Sequence, residues 1–394
     1  MRNSTVTALF SCLLAATSAS ADQPLDCSKK SLAVAVAELH ATDPIVEFTG
    51  VCAGPIVIRA EGVTLQGVGE AVIDGGGAAD AVTIAGASRV TLSGIEIRNG
   101  VNGVTAVNGA HVSLTSLNVH HNLASGISLQ TGSSALLSEV TTAQNGLHGL
   151  DVQSGSAATV HGGLTSTANR VFGVNVNASS LTLSEATVTA TGNALGIQVA
   201  TNGNAFLGDA SSVINANSNL ATGLTVVSGA RLVSFGGTIN ASGNPGVGVS
   251  VNSKAGLDLD AASTLNASNN GDGLLVQQNS VMTVFNTPQF SGAPGFSTVN
   301  ANNNTRTGVR VLTDAVLTLV NQARVNSTQN GTVGFVADNG SGVTLVNSTI
   351  TGNTAADLQL TFGARADLRT LTLGTYTCDL TVLVRGTSGV TCPH

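Results

Sequence analysis

A segment of Asn, three variable residues and Gly returns along most of the chain, each time followed by alternating apolar and polar residues. It is clearest at 122–126, 145–149, 169–173 and 219–223, and successive copies are mostly 23 to 27 residues apart. A fixed period of this size predicts a solenoid in which every coil repeats one structural unit. We take the Gly as the anchor of each repeat and expect Asp80 and Asp357 to occupy the same position at the two ends. The anchor glycines are Gly103, Gly126, Gly149, Gly173, Gly196, Gly223, Gly248, Gly273, Gly308 and Gly334.

Two solenoid classes have such a period, the leucine-rich horseshoe and the β-helix. The horseshoe needs a dense Leu framework and often a helix in each repeat, and the sequence has neither. Each repeat instead carries a short alternating segment such as GISLQ, a turn of Gly, Ser or Asn, and a second strand such as SALLSEV. We therefore predict an all-β fold, a right-handed parallel β-helix of about twelve coils with a short N-terminal capping helix. At about 4.8 Å per coil the rod would be roughly 55 Å long.

The repeated segment itself is interpreted as architecture. Asn tolerates the left-handed backbone region and Gly enters it freely, so both residues suit the corners between strands. Stacked Asn side chains can also bond to their equivalents on adjacent coils. A catalytic site is needed once, whereas this segment recurs in coil after coil.

The composition limits both the core and the partners of the chain. Only 9% of the residues are charged, Trp is absent and Tyr occurs once, so the 42% of hydrophobic residues must build the core from small aliphatic side chains. The fifteen Lys and Arg form no basic run and the net charge is −7, which argues against nucleic acid as a partner. No stretch after the first 21 residues is long and apolar enough to cross a membrane as a helix.

The two ends of the chain carry export and capping signals. Residues 1–21 have the basic start, apolar stretch and small-residue end of a secretory signal, which predicts a secreted or cell-envelope protein. Four cysteines then remain, Cys27, Cys52, Cys378 and Cys392, and three disulfide pairings are possible. Two local bridges, joining 27 to 52 and 378 to 392, need no long-range encounter. A helix predicted at 31–41 lies inside the first loop, where it can cover the exposed strand edges of the first coil.

These features predict four segments. They are a signal peptide over 1–21, an N-terminal cap over 22–61, the β-helix over 62–375 and a C-terminal cap over 376–394.

The segments GVTLQGVGEAVIDGGG (62–77) and SRVTLSGIEIRNG (88–100), together with the repeated Asn and Gly, resemble the right-handed parallel β-helix proteins of the pectin-lyase-like superfamily. The resemblance covers about residues 45–375 and implies an extracellular polysaccharide as the commonest ligand class. It does not imply a particular activity, because the motifs of polygalacturonases, pectate lyases and alginate epimerases are missing.

One set of acidic residues predicts a possible catalytic edge. Counting twelve or thirteen residues past successive anchors brings Glu139, His161, Glu185, Asp209 and then Asp260 to the end of the second strand. In that register the side chains of Glu185 and Asp209 would be about 5 Å apart, close to the carboxylate spacing of retaining glycosidases. One carboxyl group would then have a raised pKa, or both would share a calcium ion. The alternative is that these acidic residues are solvated turns.

Further candidates for ligand binding lie outside this edge. His148 and Asp151 form a pair within one repeat, and Arg231 could bind a uronate carboxylate. An insertion at 286–299 brings aromatic residues, among them Phe290 and Phe296, which either line a cleft or pack beneath the loop. The residues two past each anchor are too mixed for the flat Thr row that ice binding needs; they are Thr105, Ser128, Asp151, Asn175, Gln198, Thr225, Ser250, Leu275 and Arg310.

The sequence thus favours a secreted or cell-surface protein that binds polysaccharide or another surface component, or that serves a structural role. The alternative is a polysaccharide-cleaving enzyme that uses the acidic edge. No cofactor is expected apart from the calcium ion considered at Glu185 and Asp209.

Overall fold

A computed structural model describes residues 23–39, 44–287 and 295–392. The strands form two sheets, one of 14 strands and one of 26, and neighbouring strands of consecutive coils pair in parallel. This arrangement confirms the predicted parallel β-helix. The predicted signal peptide lies outside the described residues, and within the described residues no helix is long and apolar enough to cross a membrane.

The coils have three faces. Face 1 is the 14-stranded sheet that follows the anchor positions; its strands are Ile56–Ile58, Val82–Ala85, Val104–Val107, Ile127–Leu129, Leu150–Gln153, Phe172–Asn177, Leu195–Ala200, Leu224–Val227, Val247–Asn252, Asp272–Gln277, Val309–Leu312, Val333–Ala337, Ala356–Leu360 and Tyr376–Cys378.

Faces 2 and 3 share the 26-stranded sheet, because four long strands run through the corner between them: Ile45–Ala53, Thr64–Asp74, Ala157–Thr167 and Ser180–Thr191. The other strands of face 2 are Leu25–Asp26, Val90–Ser93, His111–Thr115, Ser134–Ser138, Asn204–Leu207, Arg231–Phe235, Gly256–Asp260, Val281–Val284, Val316–Leu319, Gly342–Val346, Arg365–Arg369 and Leu383–Gly386. Those of face 3 are Glu96–Arg98, Asn118–His120, Val140–Ala143, Val213–Asn215, Thr238–Asn240, Thr264–Asn266, Thr298–Asn300, Arg324–Thr328, Thr349–Thr351 and Thr372–Leu373.

Face 1 has 14 strands. This is two more than expected, because one strand was predicted after each of the twelve anchors. The additional strands are Ile56–Ile58 at the beginning and Tyr376–Cys378 at the end. Both lie in segments predicted as caps, and the strand Ile45–Ala53 of the sheet shared by faces 2 and 3 also begins before residue 62. Asp357 occupies the anchor position, as expected, because Phe335 pairs with Leu358. Asp80 does not: the pairing of Val82 with Val104 places Ala81 there.

A row of buried asparagines runs through the corner before face 1. The backbone N–H of each of the first nine donates to the side-chain oxygen of the Asn one coil further on, at 2.8 to 3.2 Å. The prediction that Asn side chains bond across coils is therefore confirmed. We call this row the buried Asn ladder; it consists of Asn122, Asn145, Asn169, Asn193, Asn219, Asn244, Asn270, Asn304, Asn330 and Asn353.

The anchor glycines are required by close packing rather than by left-handed backbone. A Cβ atom added at Gly149 would lie 2.6 Å from the carbonyl oxygen of Gly173 on the next coil, and one at Gly196 would lie 2.3 Å from that of Gly223. Positive φ angles occur instead at the residue immediately before each ladder Asn, such as His121 at 54°. The expected left-handed corner exists, but neither the anchor Gly nor the ladder Asn occupies it.

Both ends are capped by the predicted local disulfides, Cys27–Cys52 and Cys378–Cys392. The N-terminal helix spans Leu32–Ala37, shorter than the predicted 31–41, and the side chain of Ser31 caps its first turn. Residues 40–43 lie outside the described residues. Leu32 and Val36 of this helix are buried in the same core as the coils, so the helix covers the first coil as expected.

Candidate functional site

The outward side chains of face 1 form a recessed polar row. Thr105, Ser128 and Asp151 lie on consecutive coils, and only 2% to 8% of each residue is exposed. Asn175 continues the row with the same low exposure, and Gln198 pairs with it in register. Because alternate residues of a strand point to opposite sides of the sheet, these side chains lie on the outside of the coil while their neighbours fill the core. The row is therefore recessed on the outside of face 1.

Hydrogen bonds join the side chains of this row across the coils. The carboxylate of Asp151 accepts from the side-chain amides of Asn175 at 2.9 Å and Gln153 at 3.1 Å. Gln198 donates in turn to the amide oxygen of Asn175 at 3.2 Å. One coil before Ser128, Thr105 donates to Asp80 at 2.7 Å. The row thus presents amide, hydroxyl and carboxylate groups in fixed orientations.

His148 lies beside this row and close to Asp151, so the predicted pair is brought together. Its ring stacks on that of Phe172 with centroids 5.3 Å apart, and its Nδ1 accepts from the backbone N–H of Phe172 at 3.4 Å. Burial lowers the pKa of His148 below 6.5, and the nearby charge of Asp151 offsets only part of that effect. The lowered pKa favours the neutral imidazole, whose Nδ1 is engaged by the Phe172 N–H.

The predicted acidic edge is divided between two rows. Successive pairings along face 2 align His161 with Ser184, and further along they align Phe235 with Asp260. Glu185 follows one residue later, because the strand pairing shifts between Val160 and Gly162. His161 lies one coil before Ser184 and its Nδ1 contacts the carbonyl oxygen of that residue at 2.9 Å. The single stack of five side chains is therefore not formed.

Glu185 and Asp209 do lie on neighbouring coils, as expected. Their contact joins the backbone N–H of Glu185 to the carboxylate of Asp209 at 2.8 Å. Burial raises the pKa of Asp209, but hydrogen bonds from Ser211, from the Glu185 N–H and from Ser212 outweigh it and leave the pKa below its usual value. Asp209 thus stays ionised and holds a turn, and it is not the carboxyl group with a raised pKa. The catalytic role assigned to this edge stays a prediction.

Glu139 lies at the same corner between faces 2 and 3, two coils before Glu185. Its carboxylate lies over the backbone of Gly162 and Gly163, and the residue also lines a groove of about 860 Å³ with Glu70 and Glu96. Glu139 is thus one intervening coil away from Glu185, and Gly162 and Gly163 of that coil lie beneath its carboxylate.

Sequence reasoning missed an ion-pair cluster on face 3 beside this groove. Arg98 contacts Asp74 at 3.2 Å and Glu96 at 2.8 Å, and the same Glu96 oxygen lies 3.3 Å from Nε2 of His120. His120 in turn contacts His121. The sequence could have revealed this cluster, because VID (72–74), EIR (96–98) and NVH (118–120) align residue by residue on successive coils. That alignment places their charged residues in one patch.

The other candidates lie apart from the face 1 row. Arg231 begins a strand of face 2 and is bound to Asp258, with Nη2 2.6 Å from the carboxylate. Phe296 packs against Arg324, whose guanidinium carbon lies 4.2 Å from the ring centroid. Whether Phe296 lines a cleft or packs beneath the loop stays a prediction, and Phe290 lies outside the described residues.

No metal centre is evident in the part of the chain that the structure describes, since no three His, Cys, Asp or Glu side chains converge there. The histidines do not form one stack. His111 contacts Ser134 on face 2, His120 and His121 contact each other beside face 3, and His148 lies at face 1.

Comparison with known proteins supports the fold directly. The sequence matches the family described as the right handed beta helix region over residues 58–204 and 93–264, which together cover more than half of the chain. No curated protein matches the sequence.

Solved structures with a similar fold include three proteins. The A-module of a mannuronan C-5 epimerase of Azotobacter vinelandii is 12% identical, with 94% of this chain and 99% of that chain covered and a TM-score of 0.47. A periplasmic alginate epimerase is 10% identical over 88% and 84% of the two chains, with a TM-score of 0.43. A surface adhesin of Streptococcus pneumoniae is 9% identical over 78% and 91%, with a TM-score of 0.35.

No functional argument follows from similarities at this level. The match to the family, the parallel coils and their three faces agree with one another, and the chain belongs to the right-handed β-helix family.

Proposed function

We propose that this protein is an exported polysaccharide-binding protein whose ligand lies along the outward row of face 1. The observation that carries the proposal is the row on the outside of face 1 that runs from Thr105 through Gln198 and Thr225 to Ser250. Within it, Asp151, Asn175 and Gln198 on three successive coils are joined by hydrogen bonds. Side chains already held in place lose little conformational entropy when they bind a ligand. A linear polymer with regularly spaced hydroxyl groups fits a row with one polar side chain per coil.

The charge of the row favours a neutral polysaccharide. Asp80 and Asp151 place two carboxylates on or beside the first part of the row, and these would repel the carboxylates of a polyuronate. Arg231, which was expected to bind a uronate, lies on face 2, where it is bound to Asp258. The stacked rings of His148 and Phe172 supply an apolar edge beside the row, on which the less polar side of a sugar ring can pack.

Export is part of the same proposal. The signal-like segment at 1–21 and the two disulfides suit a protein that works outside the cytoplasm, where disulfides persist.

The test measures binding of neutral polysaccharides such as xylan, mannan and glucan, with alginate and pectin for comparison. Thr225 lies on the outward side of face 1 and is partly exposed, so Thr225→Tyr should block the row while leaving the core intact. Thr283 is a partly exposed residue on the outward side of face 2, which makes Thr283→Tyr the matched control. We expect the first variant to lose binding and the second to bind like the wild type. Blank results with every glycan, or equal binding by both variants, would refute the proposal.

A second candidate function is polysaccharide cleavage, and one observation favours it. Burial lowers the pKa of His148, which lies beside the row and near the carboxylate of Asp151, so an imidazole that favours its neutral form lies close to a carboxylate. Such an imidazole can take a proton from a bound sugar at Nδ1 once that nitrogen gives up its hydrogen bond from the Phe172 N–H. The substitutions His148→Gln and Asp151→Asn should then abolish the release of reducing ends or unsaturated uronates without abolishing binding.

The acidic edge predicted from the sequence needs its own test. Glu185→Gln and Asp209→Asn should reduce turnover, or reduce calcium-dependent melting, if these residues form a catalytic or calcium site. Unchanged turnover and melting in both variants would leave the two residues as a turn.

A further inference from the structure

The outward side of face 3 carries a second regular pattern, distinct from the face 1 row. The segments VINAN, TINAS, TLNAS and TVNAN recur at 213–217, 238–242, 264–268 and 298–302. In each segment the second and fourth residues are buried, while the first, third and fifth are partly exposed on the outside. We call the outward residues of these four segments the Asn/Thr face. It contains no charged and no aromatic side chain.

The Asn/Thr face is in register from coil to coil. Thr238, Thr264 and Thr298 pair directly with one another, as do the asparagines two positions later, and no register shift interrupts them. Neighbouring strands lie about 4.8 Å apart, and alternate residues of one strand about 6.7 Å apart. The hydroxyl and amide groups therefore form a regular grid on this face.

Hydrogen bonds hold the central column of this grid in place. The side-chain amide of Asn240 donates to Asn215, that of Asn266 to Asn240 and that of Asn300 to Asn266, each at 2.8 Å. Asn326 on the next coil continues the column with the same distance. Each amide uses one of its two N–H groups in the column. The orientation of these groups is thus fixed before any ligand arrives, which lowers the entropy lost on binding.

We propose that the Asn/Thr face binds ice. A soluble sugar chain is recognised in a concave site with aromatic or charged groups. Arg324 and Phe296 lie at the border of the Asn/Thr face, where Arg324 pairs with Thr298, and the face itself is neutral and free of aromatic rings. What matches it is a flat solid with a regular lattice of hydrogen-bonding oxygen atoms, and the oxygen rows on hexagonal ice repeat at lengths close to both edges of the grid. The mixed row that argued against ice binding belongs to face 1, so that argument does not apply to face 3.

The proposal is tested by partition of the full chain into a slowly growing ice front and by inhibition of ice recrystallisation. Thr264→Tyr places a bulky side chain in the middle of the Asn/Thr face, and Asn266→Asp adds a charge there with almost no change in shape. Thr283→Tyr on face 2 is the matched control. Thermal melting of each variant shows whether it is folded.

The wild type and Thr283→Tyr are expected to enter the ice and to inhibit recrystallisation, and Thr264→Tyr and Asn266→Asp are expected to lose both properties while melting like the wild type. Exclusion of the wild type from ice would overturn the proposal. So would equal behaviour of Thr264→Tyr and Thr283→Tyr. Binding to crystalline cellulose or chitin that Thr264→Tyr abolishes, without partition into ice, would assign the face to a solid polysaccharide instead. None of these outcomes depends on ligand binding at face 1.

Discussion

The Asn and the Gly of the repeated segment have different physical roles. The Asn is buried and bonds to the next coil, whereas the Gly allows two coils to approach where a Cβ atom would collide with a carbonyl oxygen. Sequence alone placed both at corners but assigned the left-handed backbone to them. The left-handed backbone belongs instead to the residue before the Asn, as at His121, Gln144 and Ala168. Because residues of such different types occupy the position before the Asn, a single sequence shows no repeated residue type there.

The buried Asn ladder predicts a large loss of stability for Asn219→Ala. The side-chain oxygen of Asn219 accepts from the backbone N–H of Asn193, its side-chain amide donates to the carbonyl oxygen of Ala190, and the residue is 1% exposed. Its removal leaves buried N–H and C=O groups without partners, so the free energy of unfolding should fall by about 2–4 kcal/mol. Urea denaturation measures the change.

The control is Asn240→Ala in the partly exposed column of face 3, where water can replace the lost bonds. It should cost less than about 1 kcal/mol. Equal losses for the two variants would contradict the role assigned to the buried Asn ladder.

His148 predicts a pH dependence of stability. Burial lowers its pKa in the folded chain below 6.5, so between the two pKa values the unfolded chain binds the proton more readily. The stabilising contribution is therefore complete above the unfolded pKa and is lost as pH falls through the folded pKa. Unfolding free energies at about pH 7.5 and about pH 5.5 should differ more for the wild type than for His148→Gln. An identical difference in both proteins would show that His148 does not titrate in this way.

At the scale of strands and corners, the sequence predicted the strands of the faces better than the register of residues at the corners. Alternating residues and a steady period identify the strands of face 1, because every coil must bury the same inward positions. Counting failed between Val160 and Gly162, where the pairing shifts by one residue. That shift places His161 and Glu185 in different rows, so a catalytic edge inferred by counting could not be trusted across it.

The C-terminal end of the buried Asn ladder is closed by Asp357. Its carboxylate accepts from the backbone and side chain of Asn353 at 3.0 and 2.8 Å and from the backbone N–H of Thr375 at 2.7 Å. Burial raises the pKa of Asp357, but these hydrogen bonds outweigh it and keep the pKa below 3.8. The ladder therefore ends on an ionised acceptor rather than on an unpaired amide.

Asp357→Ala should lower the free energy of unfolding by about 2–4 kcal/mol and should speed proteolysis of the last coils. Its stabilising contribution in the wild type is present above pH 3.8 and lost as pH falls through the lower folded pKa. Asp367→Ala, which removes a carboxylate paired with the exposed Arg369, should cost under about 1 kcal/mol. Loss of the same size in both variants would mean that Asp357 does not cap the ladder.

At the scale of the whole molecule, the rod separates its surfaces by face. Face 1 offers a recessed row of varied polar groups beside His148 and Phe172, and face 3 offers a regular grid of a few repeated residue types. The sequence contains the repeats that build face 3, such as TINAS and TLNAS. Only the pairing of the strands shows that these repeats share one outer surface. The ion-pair cluster at Glu96 was hidden for the same reason.

The central claim is that a linear neutral polymer lies along several coils of face 1, and the dependence of affinity on ligand length tests it most directly. Each added sugar that reaches the next coil adds contacts, so the affinity of the wild type for a series of neutral oligosaccharides should rise with every unit over several units and then level off. Thr225→Tyr, which interrupts the row, should remove that rise, while Thr283→Tyr on face 2 should preserve it. An affinity that is the same for a disaccharide and for the polymer, or a rise that persists in Thr225→Tyr, would contradict the claim.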